Sequence, residues 1–144
     1  MIEDTLFYKI RKVNRLLRDS LISRLVEEGL KPSYAMTTYF ISTHKDVTQS
    51  DICHFTGLKA PTISLLIKDM EREDILKRTV STIDSRSVIV TLTDKGYELS
   101  KRYYDIYMEV NQNFTKGLNN EDKISIEYVL NKLSKCLEDE GDNK

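Results

Sequence analysis

The chain has few of the residues that build covalent or metal-held frameworks. Its 144 residues include two cysteines, two histidines, two prolines, five glycines and no tryptophan. Cys53 and Cys136 lie far apart and show no CxxC spacing, so a structural disulfide is not expected. His44 and His54 lack an acidic or thiol partner at a metal-ligand spacing. We therefore expect neither a metal nor a cofactor.

Longer patterns are absent as well. There is no extended apolar run and no signal-type segment, which predicts a cytoplasmic protein without a membrane partner. A glycine-rich phosphate loop, a serine elbow, an HExxH motif and paired catalytic carboxylates are all missing, so an enzyme is not expected. With 31% charged and 40% hydrophobic residues, residues 1–144 fit a single domain.

Residues 48–72 carry the signals of two short helices joined by a tight turn. Thr48 precedes an apolar run and Asp51 follows three residues later, a pairing typical of a capping box. Gly57 is placed to end this helix in a left-handed cap, so the first helix is predicted over residues 49–56. The second helix has one buried stripe at helical spacing, formed by Ile63, Leu66, Ile67 and Met70.

The opposite face of the second helix is predicted to read DNA. Lys59 stands at the helix start, and the outward positions are Pro61, Thr62, Ser64, Leu65 and Lys68. A recognition helix in the major groove needs short polar side chains near its N-terminus to reach base edges, and cations to meet flanking phosphates. The alternative is a helical hairpin that only packs and whose polar face is solvated.

A polar-tipped β-hairpin is predicted next. Residues 76–80 and 87–92 are rich in β-forming side chains, and the inward face of the second run is Val88, Val90 and Leu92. The loop carries Ser81, Thr82, Asp84 and Ser85, with Arg86 as its cation. An arginine there can enter the minor groove, where negative potential attracts it. Asp84 is expected to hold the Arg86 guanidinium in a bidentate salt bridge; the alternative is an ordinary surface ion pair that contributes little.

Long amphipathic helices flank residues 48–93, which we call the reader. Residues 5–26 carry six cations against one acid, whereas residues 117–144 carry four lysines against seven acids. Apolar stripes at both ends of a small chain are covered most simply by a second copy, so residues 5–28 and 119–138 are predicted to form a homodimer. An intramolecular bundle is the alternative. Residues 138–144 are predicted to fray.

Together these signals predict a mostly α fold with a small β-hairpin wing: a winged helix-turn-helix flanked by N- and C-terminal dimerisation helices. The segment from Asp84 to Gly96, DSRSVIVTLTDKG, resembles the MarR family of transcriptional regulators. In that family Asp-x-Arg, followed by a strand ending in Leu-Thr-x-x-Gly, marks the wing and the start of the next helix. The segments 29–33 and 47–52 are similar to the family's second-helix entry and reader entry, and 61–64 to the recognition helix of multidrug-responsive members.

The resemblance implies a ligand-responsive repressor. Such a protein binds a pseudo-palindromic site in double-stranded DNA as a homodimer and holds a small aromatic or lipophilic effector between its dimer helices and its reader. Three positions depart from the family pattern. Asp74 replaces the usual glycine after the recognition helix, Lys59 gives no capping oxygen, and the wing has one arginine where many members have two.

Two other functions are compatible with the sequence. A winged helix can be a protein-docking module, although a docking face would not need the cations Arg78, Arg86 and Lys68 on one side. A thiol-based redox sensor is the other alternative. Peroxide-sensing relatives carry their cysteine in the first helix, where this chain has none; Cys53 is expected to be buried and Cys136 partly exposed. We predict DNA contacts by Lys59, Pro61, Thr62, Ser64, Leu65, Lys68, Arg78, Asp84 and Arg86.

Overall fold

The order of elements follows the sequence prediction closely. In a computed structural model that describes residues 1–81, 83–84 and 86–142, a 3-10 helix at Ile2–Asp4 precedes six α-helices and one antiparallel hairpin. The elements are α1 (Leu6–Glu27), α2 (Pro32–Thr43), α3 (Gln49–Thr56), α4 (Ala60–Arg72), β1 (Leu76–Val80), β2 (Val88–Leu92), α5 (Asp94–Thr115) and α6 (Asn120–Asp142). Two compact units divide the chain, Met1–Met108 and Glu109–Lys144, and the reader lies in the first.

The predicted capping box starts α3. The Asp51 N–H donates to Thr48 Oγ1 at 3.2 Å, and the Thr48 N–H donates to Asp51 Oδ2 at 2.9 Å. The Thr48 N–H and the Thr48 hydroxyl, which donates to Asp51 Oδ2 at 2.8 Å, hold the pKa of the Asp51 carboxyl below its usual range. Gly57 ends the helix at φ 74°, in the left-handed conformation that glycine adopts without strain. The predicted bounds of α3 are therefore confirmed.

The apolar stripe of α4 forms the centre of the reader. Ile63, Ile67 and Met70 are fully buried, and Leu66 is half-buried. Lys59 occupies the N-cap without a side-chain hydrogen bond, as predicted. Asp74 takes the left-handed conformation at φ 59°, which costs more for aspartate than for the glycine it replaces. That conformation lets the Ile75 N–H donate to Met70 O at 2.9 Å and turns the chain into β1.

The hairpin is anchored at one end only. Its register runs from Leu76 opposite Leu92 to Val80 opposite Val88, and the Val90 N–H also donates to Val47 O at 2.8 Å. Val90 and Leu92 are buried, but Val88 is 47% exposed. The predicted inward face is therefore wrong at Val88, because the Val80–Val88 pair lies at the loop end of the hairpin. The second strand also begins one residue later than predicted, at Val88.

The start of α5 locks onto the base of the hairpin. Thr93 Oγ1 donates to Asp74 O at 2.6 Å and accepts the Gly96 N–H at 3.1 Å. Gly96 packs so closely that a Cβ would lie 2.1 Å from Ile75 O. Further along α5, Ser100 Oγ donates to Ser42 Oγ of α2 at 2.9 Å. These contacts fix the exit of the reader beside its entry.

The terminal helices expose apolar side chains. The C-terminal part of α1 is anchored by the buried Leu25, whereas six apolar residues in the rest of α1 are exposed: Leu6, Phe7, Ile10, Val13, Leu16 and Ile22. In α6, Ile124, Ile126, Val129, Leu130 and Leu137 are exposed. The prediction of fraying from residue 138 is wrong as far as Asp142, because the glutamates and aspartates there are compatible with a solvated helix. Asn143 and Lys144 lie outside the described residues.

Candidate DNA interface

The outward face of α4 carries the side chains predicted to read DNA. Pro61, Thr62 and Lys68 are exposed, Leu65 is 62% exposed, and Ser64 is half-buried. Lys59, at the N-cap, is exposed beside them. Gln49 Nε2 donates to Ala60 O at 3.2 Å, which fixes the start of α4 against the start of α3. The N-cap and first three turns of α4 therefore present hydroxyls, a small apolar surface and two cations to solvent.

Arg78 is paired with the recognition helix. Its Nε and Nη2 donate to Glu71 Oε2 and Oε1 at 3.2 and 2.9 Å, a bidentate pair between β1 and α4. Arg78 holds the pKa of Glu71 below its usual range, and Glu71 raises that of Arg78. In the sequence, Arg78 was one of the cations that favoured DNA binding over protein docking. That argument is weaker at this position, because β1 packs against the end of α4 and brings the acid Glu71 to Arg78.

At the wing tip, Asp84 bonds mainly to backbone. Its Oδ1 accepts the Arg86 N–H at 3.0 Å and lies 3.6 Å from Arg86 Nε. The expected bidentate salt bridge is therefore wrong: the pair is a single surface contact, the stated alternative, because the same carboxylate oxygen also closes a turn with the backbone. The Arg86 side chain is 92% exposed and extends into solvent. Thr82 and Ser85, also predicted for this loop, lie outside the described residues.

Sequence reasoning placed Ser81 in the wing loop without a role and missed Ile83. Ser81 Oγ accepts the N–H groups of Ile83 and Asp84, both at 3.2 Å. Ile83 is 92% exposed. A serine two and three residues before these donors is the local signal for such a turn. The lone apolar residue among polar neighbours was also visible in the sequence.

A cavity of about 320 Å³ lies in the first unit, away from the recognition face of α4. It is lined by Leu21, Leu25, Ala35, Met36, Tyr39, Phe55, Tyr103, Tyr104, Tyr107 and Met108. Tyr39 and Tyr104 stack with ring centroids 6.3 Å apart. The Tyr103 hydroxyl donates to Lys31 O at 2.7 Å, and burial raises the pKa of Tyr103. The cavity lining is thus aromatic and apolar.

The thiol-sensor alternative and a metal site gain no support from the geometry of the described residues. Cys53 is half-buried and Cys136 exposed, each as a free thiol. Across residues 1–81, 83–84 and 86–142, no group of three metal-capable side chains occurs. Within the same residues, no helix has the length and hydropathy needed to cross a membrane.

Known proteins share this architecture. The HTH-type transcriptional repressor MdtR of Bacillus subtilis is 20% identical over 128 residues, 88% of this chain and 83% of MdtR. The Staphylococcus aureus MepR–DNA complex has TM-score 0.83 at 23% identity, covering 94% of this chain and 98% of MepR. Bordetella bronchiseptica BpsR, whose DNA binding is regulated by 6-hydroxynicotinic acid, has TM-score 0.81 at 18% identity, covering 93% and 96%.

The structural neighbours are MarR-family regulators, which confirms the resemblance and the winged helix-turn-helix fold predicted from the sequence. Residues 31–103, half of the chain, match the family model "Transcriptional regulator SarA/Rot". That match contains α2, the whole reader and the start of α5. The chain therefore belongs to the SarA/Rot family of winged-helix, DNA-binding transcriptional regulators.

Proposed function

We propose that the protein is a sequence-specific repressor that binds a pseudo-palindromic operator as a homodimer and responds to a small ligand. The observation that carries this proposal is the exposed N-terminal face of α4, with hydroxyls, Lys59 and Lys68, in a chain whose wing also exposes Arg86. In this proposal residues 1–144 act as one domain, with residues 48–93 as the reader. The repressor name of MdtR supports the sign of regulation.

Each outward residue of α4 has a chemical role in this proposal. The hydroxyls of Thr62 and Ser64 reach base edges in the major groove, while Lys59 and Lys68 contact flanking phosphates. Pro61 and Leu65 offer apolar surface to thymine methyl groups. Arg86 enters the adjacent minor groove, with Asp84 shaping its turn. Arg78 reaches phosphate only by exchanging its partner Glu71.

Removal of the Thr62 hydroxyl tests sequence reading. On an operator selected from random DNA, Thr62→Ala should weaken binding by about 1–3 kcal/mol and leave binding to unrelated DNA nearly unchanged. Ser33→Ala, at an exposed position in α2, removes a hydroxyl outside the reader and serves as the control. Fluorescence anisotropy at fixed salt measures both affinities. An equal loss on the two DNAs would show that Thr62 contacts only phosphate or supports the fold.

The exposed apolar residues of α1 and α6 support dimerisation through residues 5–28 and 119–138. The exposed cations of α1, among them Arg11, Arg15 and Arg18, complement the acids of α6. Two-fold symmetry would place the recognition helices about 34–36 Å apart, one turn of DNA. Sedimentation at micromolar concentration should therefore give about twice 16.8 kDa. A monomer there would remove both the dimer and the palindrome.

The aromatic cavity supports a ligand response. Its tyrosines, Phe55 and methionines suit a planar aromatic or lipophilic compound, and 6-hydroxynicotinic acid, which regulates BpsR, is a planar aromatic compound. A ligand weakens DNA binding only by the free energy with which it prefers the arrangement of the two readers that does not bind DNA. This preference is typically about 1–3 kcal/mol. Phenolic and cationic aromatic compounds titrated into the operator complex should include at least one that weakens it.

Loss of that response in a cavity variant locates the ligand. Tyr104→Ala removes the ring that stacks on Tyr39 and should abolish the ligand effect while leaving operator affinity unchanged. Tyr97→Ala, at an exposed α5 position outside the cavity lining, is the matched control. A panel without effect on DNA affinity, together with reversible release by an oxidant, would instead favour the thiol-sensor alternative.

A further inference from the structure

The tip of the wing presents one apolar side chain in a polar loop. Ile83 is 92% exposed, more than any other large apolar residue in the described part of the chain. The other residues at positions 81–87 are serines, a threonine, an aspartate and an arginine. A full isoleucine side chain in water gains free energy from any partner that covers it, in proportion to the area removed from solvent.

The exposure of Ile83 comes from a hydrogen-bonded turn. The Ile83 N–H is held by Ser81 Oγ, and the Ser81 N–H donates to Ser87 O at 2.8 Å. Asp84 accepts the Arg86 N–H, and the Ser87 N–H donates to Asp84 O at 3.0 Å. These bonds engage the N–H groups of Ser81, Ile83, Arg86 and Ser87 within the loop, and the side chains of Ile83 and Arg86 are both exposed at the tip.

The charges around Ile83 indicate what covers it. Arg86 is a few positions away in the same tip and 92% exposed, and Lys77 is exposed on β1. A cation beside an apolar side chain suits the minor groove, where negative potential lies between walls of deoxyribose. Proteins that bind this groove combine arginine or lysine with apolar residues, isoleucine among them, that press against the base steps.

We propose that Ile83 enters the minor groove beside Arg86 and packs against the groove walls at the outer flank of each half-site. This inference rests on the proposed binding of DNA by the reader. When Ile83 packs in this way, the protein gains sequence specificity at the flanking base steps without hydrogen bonds to base edges. The width and flexibility of the flanking steps decide how well the isoleucine fits, so the operator extends beyond the bases read by α4.

The test compares wing variants on the selected operator across a salt series. Ile83→Ser should weaken binding about 10-fold, equivalent to about 1.4 kcal/mol, and Ile83→Val should recover most of the loss. An apolar contact displaces no counterion, so the slope of log affinity against log salt should stay that of the unaltered protein. Arg86→Ala should instead flatten that slope by about one unit for each wing. Ile2→Ser, another exposed isoleucine outside the reader, is the control.

DNA chemistry supplies a second readout. Replacement of flanking adenines by 2,6-diaminopurine adds an amino group to the minor groove and leaves the major-groove edge unchanged. It should weaken the unaltered protein and have a smaller effect on Ile83→Ser. Equal affinity of Ile83→Ser and the unaltered protein for a single operator would overturn the proposal, as would a loss seen only as reduced cooperativity between adjacent operators. Failure of the unaltered protein to select any operator would instead refute the proposed function.

Discussion

Gly96→Ala is expected to destabilise the protein by about 3 kcal/mol or more. The new Cβ would lie 2.1 Å from Ile75 O and 3.1 Å from Leu92 Cβ and Cδ2. Overpacking usually costs about 1–3 kcal/mol because side chains move aside. Here the nearest atom belongs to backbone that is held on both sides: the Ile75 N–H donates to Met70 O, and Ile75 O accepts the Thr93 N–H at 3.0 Å.

Equilibrium unfolding in urea measures this effect. Gly141→Ala is the matched control because nothing lies within 4 Å of a Cβ at that position in α6. There, replacement of a helical glycine should be neutral or stabilise by up to about 1 kcal/mol. A stability of Gly96→Ala within about 1 kcal/mol of the unaltered protein would show that the start of α5 shifts freely against the hairpin, contrary to the packing described above.

Glu71→Gln is expected to tighten DNA binding. The pKa of Glu71 is lowered by Arg78, so at neutral pH the carboxylate is ionised and accepts from Nε and Nη2 of the guanidinium. Glutamine removes that charge and releases Arg78 toward phosphate. The ion pair is exposed and contributes little to stability, so the hairpin should remain folded. In a dimer two arginines are released, and affinity should rise about 10- to 100-fold at low salt.

The salt dependence identifies the cause of that gain. Each released arginine that meets a phosphate should steepen the slope of log affinity against log salt by about 0.9. Glu140→Gln makes the same change in net charge on α6, outside the reader, and should alter affinity far less. In a Glu71→Gln/Arg78→Ala double variant the additional slope should disappear. Weaker binding by Glu71→Gln would show that the pair positions Arg78 for DNA rather than withholding it.

Local signals predicted most of the fold. The capping box of Thr48 and Asp51, the left-handed Gly57 and the alternation ending at Leu92 depend on neighbours within a few residues, so the sequence contains them in full. The end of α6 was missed because an acidic segment without proline is compatible both with a solvated helix and with a frayed tail. The exposure of Val88 depends on how far the hairpin extends from the core, which the alternation of side chains does not encode.

Contacts between distant residues account for the missed Glu71–Arg78 pair and the missed cavity, whereas the misses at the wing tip are local. Glu71 and Arg78 stand on different elements, and only the packing of β1 against α4 brings them together. Asp84 has both a guanidinium and a backbone N–H within reach, and spacing alone does not decide between them. The cavity draws its lining from α1, α2, α3 and α5, so its aromatic residues are scattered along the chain.

The hydrogen bond between Ser42 and Ser100 and the bridge from Val47 to Val90 mean that the chain enters and leaves the reader at neighbouring points. The reader is also packed against α2 and the residue before it: the Phe40 and Phe55 rings stack with centroids 4.5 Å apart, and Lys31 Nζ lies 2.6 Å from Glu73 Oε1. A rotation of the reader relative to α2 must therefore rearrange these contacts, even where the hydrogen bonds inside the reader persist. A small rotation of the reader moves its far end by a larger distance. In a dimer it would change the span between the two recognition helices while each helix keeps its own shape.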